Sequence, residues 1–140
     1  MPRRAEARAR GTATLRRRRL PKSIVAAIDA SNVLGVRAGA RTDHRFIGIW
    51  AVVVDGRVFA RSWTLRRDGW FHAFRKDPLG VIRVGEREVR VRAAVVRSQR
   101  IRIAVEEAYA LKYATPGSKK FVRGFRTARR RDSTTEFVPR

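Results

Sequence analysis

The 140-residue chain predicts an α+β fold, mainly antiparallel β, in which a small barrel or strongly curled sheet carries peripheral helices. Three observations lead there. Residues 46–54 are apolar on both alternating faces, Phe46, Gly48, Trp50, Val52 and Val54 against Ile47, Ile49, Ala51 and Val53, which is the pattern of a central strand buried on both sides. Two turns, at Asp55-Gly56 and Gly85-Glu86, separate runs of period 2 into hairpins, and Asp-Gly tolerates the positive φ of a type I′ turn at little cost. A helical stripe, Ile101, Ala104, Val105, Ala108 and Leu111, then crosses between the hairpins and a last strand at 134–138.

The remaining elements follow from local chemistry. Pro21 opens a helix where a missing N–H does no harm, with Ile24, Val25 and Ile28 at helical spacing before Ser31-Asn32 end it. Residues 33–37 read as a strand and 38–43 as a polar loop. After the first turn, the strand 57–63 places Val58, Ala60 and Ser62 on one face and Arg57, Phe59, Arg61 and Trp63 on the other. Asp68 is placed to cap a short helix with Trp70 and Phe74 at i and i+4, which Asp77-Pro78 stops. In the second hairpin, 80–84 and 87–96, the row Val89, Val91, Ala93, Val95 is core and the row containing Arg90 and Arg92 is basic. Ser98 caps the long helix, on which Arg102 and Glu106 are expected to pair. Thr115-Pro116-Gly117 ends it, a basic helix follows at 119–127 with Phe121, Val122 and Phe125 turned inward, and 129–132 reads as exposed loop.

Composition narrows the function classes. There are 34 basic and 12 acidic residues, for a net charge of +22 and a pI near 12.0, a balance that directs attention to nucleic acid, anionic ligands and acidic partners. Eight arginines in the first nineteen residues face only Glu6. Residues 1–20 are therefore expected to form a disordered basic tail, read as a nucleic-acid arm, a targeting segment or translated upstream sequence, and 21–140 a single domain. Without cysteine there is neither disulfide nor thiolate ligand, and without a long apolar run a cytoplasmic location, with no membrane partner, is expected. His44 and His72 lack spaced His/Asp/Glu partners and read as surface or capping residues, so neither a metal site nor a catalytic constellation is predicted.

One stretch does suggest a ligand. The start of the helix after Asp68, beside Arg61, Ser62, Arg66 and Arg67, would offer free N–H groups and guanidinium forks to a phosphate or another anion; the same residues also read as a solvated basic loop. Arg61 and Arg67 are expected to lie outside the core, so that removing either would cost affinity and little stability.

From about residue 20 onward the chain resembles a bacterial family of uncharacterised small proteins, a domain-of-unknown-function family, through LGVRAG (34–39), HRFIGIWAVVVDGRVFARSW (44–63), YALKYATPGS (109–118) and TTEFVPR (134–140). That family is in turn similar to the FMN-binding split β-barrel superfamily, which includes deazaflavin-dependent reductases, with Ser62, Trp70, Phe71 and Pro78 where its pattern wants them; His72-Ala73 stand where the reductases have Asn-Leu, and Trp63-Thr64 replace a Gly-Gly pair. The resemblance implies a small split β-barrel that binds FMN or deazaflavin and acts as an oxidoreductase on a small molecule. It further implies that Arg61, Ser62, Arg66 and Arg67 hold phosphate, that Trp50, Trp63 and Trp70 wall the ring pocket, and that the protein is a homodimer with the pocket at the seam. The apolar outer face of 46–54, with few helices to cover it, points to the same dimer. The alternative class is a non-catalytic basic protein that binds nucleic acid non-specifically through its tail and faces.

Overall fold

The computed structural model describes residues 19–39 and 45–140; residues 1–18 of the predicted tail and His44 lie outside them. Of that tail's last two residues, Arg19 donates through Nη1 to Asp55 O at 2.9 Å and Leu20 is buried. Helix α1 (Lys22–Ala30) leads into β1 (Leu34–Ala38), then β2 (Ile47–Ile49), β3 (Ala51–Val54) and β4 (Arg57–Ala60). Helix α2 (Trp70–Lys76) precedes the hairpin β5 (Leu79–Val84) and β6 (Arg87–Val95). Helices α3 (Gln99–Lys112), α4 (Lys119–Gly124) and α5 (Ala128–Arg131) precede β7 (Thr135–Pro139).

All pairings are antiparallel, in the order β2-β1-β5-β6-β7-β4-β3. The first and last of these strands flank Trp50 in one continuous stretch, so the chain itself joins the two edges and the sheet curls into a nearly closed barrel. The expected α+β, mainly antiparallel architecture is therefore present, with one correction: residues 46–54 are not a central strand but the two edges, broken at Trp50. The Trp50 carbonyl accepts from the Tyr109 hydroxyl at 2.6 Å instead of a neighbouring strand. Both hairpin turns form as expected, with Asp55 at φ 52° and Gly56 at φ 73° in the first.

Two apolar cores explain the doubly apolar stretch. Inside the barrel Ala51 joins Leu34, Val36, Val58, Ile82 and Phe137, while Ile24 and Ile28 of α1 and Trp70 and Phe74 of α2 pack against the same cluster. Outside it, Val52 and Phe59 pack under α3 and α4 against Val105, Tyr109, Tyr113 and Phe125. The outer face of β3 is thus covered by the chain's own helix, which removes the packing argument for a second copy.

The face that α3 buries differs from the expected stripe. Val105, Tyr109 and Tyr113 are inward, whereas Leu111 is 82% exposed; the buried seam runs one residue round from where aliphatic spacing alone puts it, because two tyrosines outweigh the leucine in apolar area. Lys112 also turns in, its Nζ donating to Ile28 O at 3.0 Å and Ala51 O at 2.8 Å, which ties α1, β3 and α3 together. Burial lowers the Lys112 pKa, partly offset by Asp29. Ser98 does cap α3, accepting from Ile101 N. Arg102 and Glu106 do not pair as expected: Arg102 reaches Asp132 and Val96 O, leaving Glu106 to other arginines. Residues 129–131, expected as loop, belong to α5, and the basic helix, expected to run to 127, ends at Gly124.

Candidate functional site

A cleft of about 380 Å³ opens where the edge strands break, lined by Ile47 to Trp50, Trp63, Thr64, Trp70, Phe121 and Phe125, with Arg61 beneath. Its walls are mutually braced. Trp50 stacks on Tyr113 with centroids 4.3 Å apart and planes 4° from parallel, and Phe121 meets both Trp50 and Trp63 edge-on at 5.8 and 5.0 Å. Trp63, 41% exposed, is held by the Arg130 guanidinium 3.9 Å over its ring and by a bond from Arg130 Nε to its carbonyl at 2.8 Å. Behind it a Cβ at Gly124 would overlap the Trp63 ring, so the glycine is needed for this close approach. Apolar aromatic walls with few polar groups are the usual chemistry of a pocket for a planar conjugated ligand.

The three predicted tryptophans and Arg61 come together here, but the other predicted phosphate residues, Ser62, Arg66 and Arg67, do not. Ser62 is buried beneath the loop, its Oγ donating to Thr64 O and its N–H donating to Ser133 Oγ. Arg66 and Arg67 are exposed, outside the cleft, and Arg66 pairs with Asp68 at 3.2 Å. Asp68 therefore does not cap α2, whose N-cap is Gly69, with no side-chain bond.

Arg61 corrects the expectation of a free arginine outside the core. It is 1% exposed, and four of its five guanidinium N–H groups are engaged within the protein: Nε with Thr134 Oγ1 at 2.8 Å, Nη1 with Glu106 Oε1 and Phe125 O at 3.0 Å, and Nη2 with Arg102 O at 3.0 Å. Its backbone N–H donates to the Tyr109 hydroxyl at 2.9 Å. Such a guanidinium anchors α3, α4 and β7 beneath the cleft; it does not present a fork to a phosphate. Burial lowers the Arg61 pKa, opposed by its bond to and the charge of Glu106. Burial likewise pushes the Tyr109 hydroxyl up, and Tyr113 to about 12, so both are protonated donors at neutral pH.

Glu106 is the counter-charge, its Oε1 accepting from Arg61 at 3.0 Å and from Arg131 Nε at 2.8 Å. Burial pushes its carboxyl up, but the bonds and charges of the two arginines outweigh that and hold it below its ordinary value of 4.5. The sign follows: this stabilisation is fully present above 4.5 and is lost as pH falls through the lowered native value. Glu106→Gln should lose roughly 1.5–3 kcal/mol at neutral pH and show a shallower fall in melting temperature with acid; melts across pH 2–7 that run parallel in the two proteins would refute it.

Tyr109, Tyr113, Phe121 and Phe125 also build or brace this site, although the sequence marked only Phe121 and Phe125, and those as inward-facing rather than as site residues. The signal was the repeated i, i+4 aromatic pair in each segment, which marks two rings on one helix face. A second, broader groove of about 1320 Å³ between α1, the first turn and β7 has no aromatic wall, and its Arg57 is committed to Glu136 at 2.7 Å. Among the described residues no group of three or more His, Cys, Asp or Glu could hold a metal ion, and no helix is long and apolar enough to cross a membrane.

No curated protein matches the chain. Among solved structures it is similar in fold to a conserved hypothetical protein from Mycobacterium tuberculosis, with a TM-score of 0.56 and 14% identity over 85% of this chain and 78% of that one. The family described as uncharacterised proteins conserved in bacteria (DUF2255) matches residues 24–137, nearly the whole described barrel, and the chain belongs to it.

Proposed function

We propose that the aromatic cleft binds the planar conjugated ring of a small molecule, with the isoalloxazine-type ring of FMN or a deazaflavin as the ligand class. The observation that carries this reading is the convergence of Trp50, Trp63, Trp70 and Phe121 around a space of about 380 Å³, within the range of small-molecule pockets. When bound, such a cofactor supplies the redox chemistry of an oxidoreductase, and the chain contributes orientation and exclusion of water. Aromatic walls suit a planar ring; the phosphate of FMN finds no free arginine inside, so it would extend towards solvent.

The test is a titration of the purified protein with FMN and with a deazaflavin, following tryptophan fluorescence and melting temperature together. Saturable quenching with a raised melting temperature is expected from at least one of them. Gly124→Ala, which drives the Trp63 ring off its seat, should weaken that binding about tenfold, roughly 1.4 kcal/mol. A colourless protein whose fluorescence and melting neither compound alters would overturn the reading.

A further inference from the structure

One side of the barrel gathers arginines on its outward face. On the outward faces of β1, β5 and β6 stand Arg37, Arg83, Arg90 and Arg92, and Arg140 follows β7; among these Arg83, Arg90, Arg92 and Arg140 are exposed. Register aligns them. Val81 lies opposite both Arg37 and Arg90, and Arg140 N donates to Arg90 O at 3.4 Å, so three arginines share one row across four strands, about 14 Å at the usual strand spacing. Arg83 stands on the next outward position of β5, and its guanidinium and that of Arg37 flank the Phe46 ring at 4.2 and 4.4 Å.

Among the described residues, positive charge on this face exceeds negative. None of the five arginines forms an ion pair among the described residues, and the Nε of Arg37 is buried without a hydrogen-bond partner. Among the described residues Glu88, opposite Arg83, is the one carboxylate in register beside them, and Glu136, further along β7 and in the groove that Arg92 also lines, is held by Arg57. Each guanidinium is attracted to the Phe46 ring, but the two like charges repel each other, which a bound anion would relieve.

We infer that this face of β1, β5, β6 and the end of β7 binds nucleic acid through its phosphodiester backbone. Guanidinium forks match phosphate oxygens bidentately, and a row of them spaced by the strands suits a repeating anion. Contacts made to the phosphodiester backbone carry no sequence information directly, so binding is independent of sequence. Nor does this face offer the large exposed apolar residues that insertion into a lipid surface uses. None of the five arginines lines the aromatic cleft, so the inference stands or falls separately from the proposed ligand.

The experiment compares two triple variants of the full chain that change net charge equally. R83Q/R90Q/R92Q removes the face, and R100Q/R123Q/R126Q removes three exposed arginines from α3, α4 and the turn after it. Fluorescence anisotropy with a labelled 20-nucleotide single strand and a 20-base-pair duplex, at salt from 50 to 200 mM, should show the face variant binding at least about tenfold more weakly. Its salt slope should be smaller by about 2–3, as expected for three lost phosphate contacts. The second variant should keep the parental slope, and both should melt like the parent. Equal losses in the two variants, binding that neither alters, no binding near 150 mM salt, or a face that attaches to phosphatidylserine vesicles and not to the oligonucleotides would each overturn the inference.

Discussion

Arg61→Ala should lower the unfolding free energy by about 3–5 kcal/mol, the cost of breaking a buried ion pair by removing one partner. The substitution empties the space of a wholly buried side chain, leaves Glu106 with Arg131 alone, and strands the Phe125 and Arg102 carbonyls and the Thr134 hydroxyl of a donor. Arg61→Met keeps most of the volume but not the donors, so it should recover only a minor part. Adding Glu106→Leu to Arg61→Met should recover more, because a buried pair replaced by apolar residues of similar size is often tolerated. Urea denaturation of the four proteins checks this; a loss below about 1 kcal/mol in Arg61→Ala would show that the guanidinium network does not hold the helices to the barrel.

Trp50→Ala should cost about 3 kcal/mol, below the upper range for Trp because the ring is only half-buried. It removes the stack on Tyr113 and the edge contact with Phe121, and so loosens α3, α4 and the break between the edge strands together. Trp50→Phe retains part of the stack and should lose less than half as much. Under the cleft proposal Trp50→Phe should also bind FMN or deazaflavin more weakly than the parent, although its fold is kept. A Trp50→Ala protein as stable as the parent would show the stack to be incidental to the fold, and unchanged ligand affinity in Trp50→Phe would move the ligand off this wall.

These two residues also show how far the sequence could be read. Trp50 was legible both as a core aromatic and as a pocket wall, since it sits in an apolar run beside an aromatic-rich segment. Arg61 was misplaced. Alternation put it correctly on the face with Phe59 and Trp63, but a charged side chain on a strand face is read as solvated until something is known to lie over that face. What lies over it is α3, reached through guanidinium bonds to Glu106 and to the Arg102 carbonyl, 45 and 41 residues away. Asp68 failed as a cap for a local reason: the helix starts one residue later than expected, with Gly69 at the N-cap, and the Asp68 carboxylate pairs in solvent with Arg66.

The same division runs through the whole molecule. Both hairpins, the ends of the helices to within a few residues and the two faces of β6 followed from sequence, because turn chemistry, helix caps and the period of apolar residues act between neighbours in the chain. The place where the sheet closes, at the break around Trp50, the covering of the outer face of β3 by α3, the burial of Arg61 and the gathering of five arginines without ion pairs among the described residues on one outward face did not. Each depends on which strand lies beside which, and pairings such as Val58 with Phe137 or Ala38 with Gly80 join residues 79 and 42 apart; no local preference encodes them, and only the packing of both cores selects them.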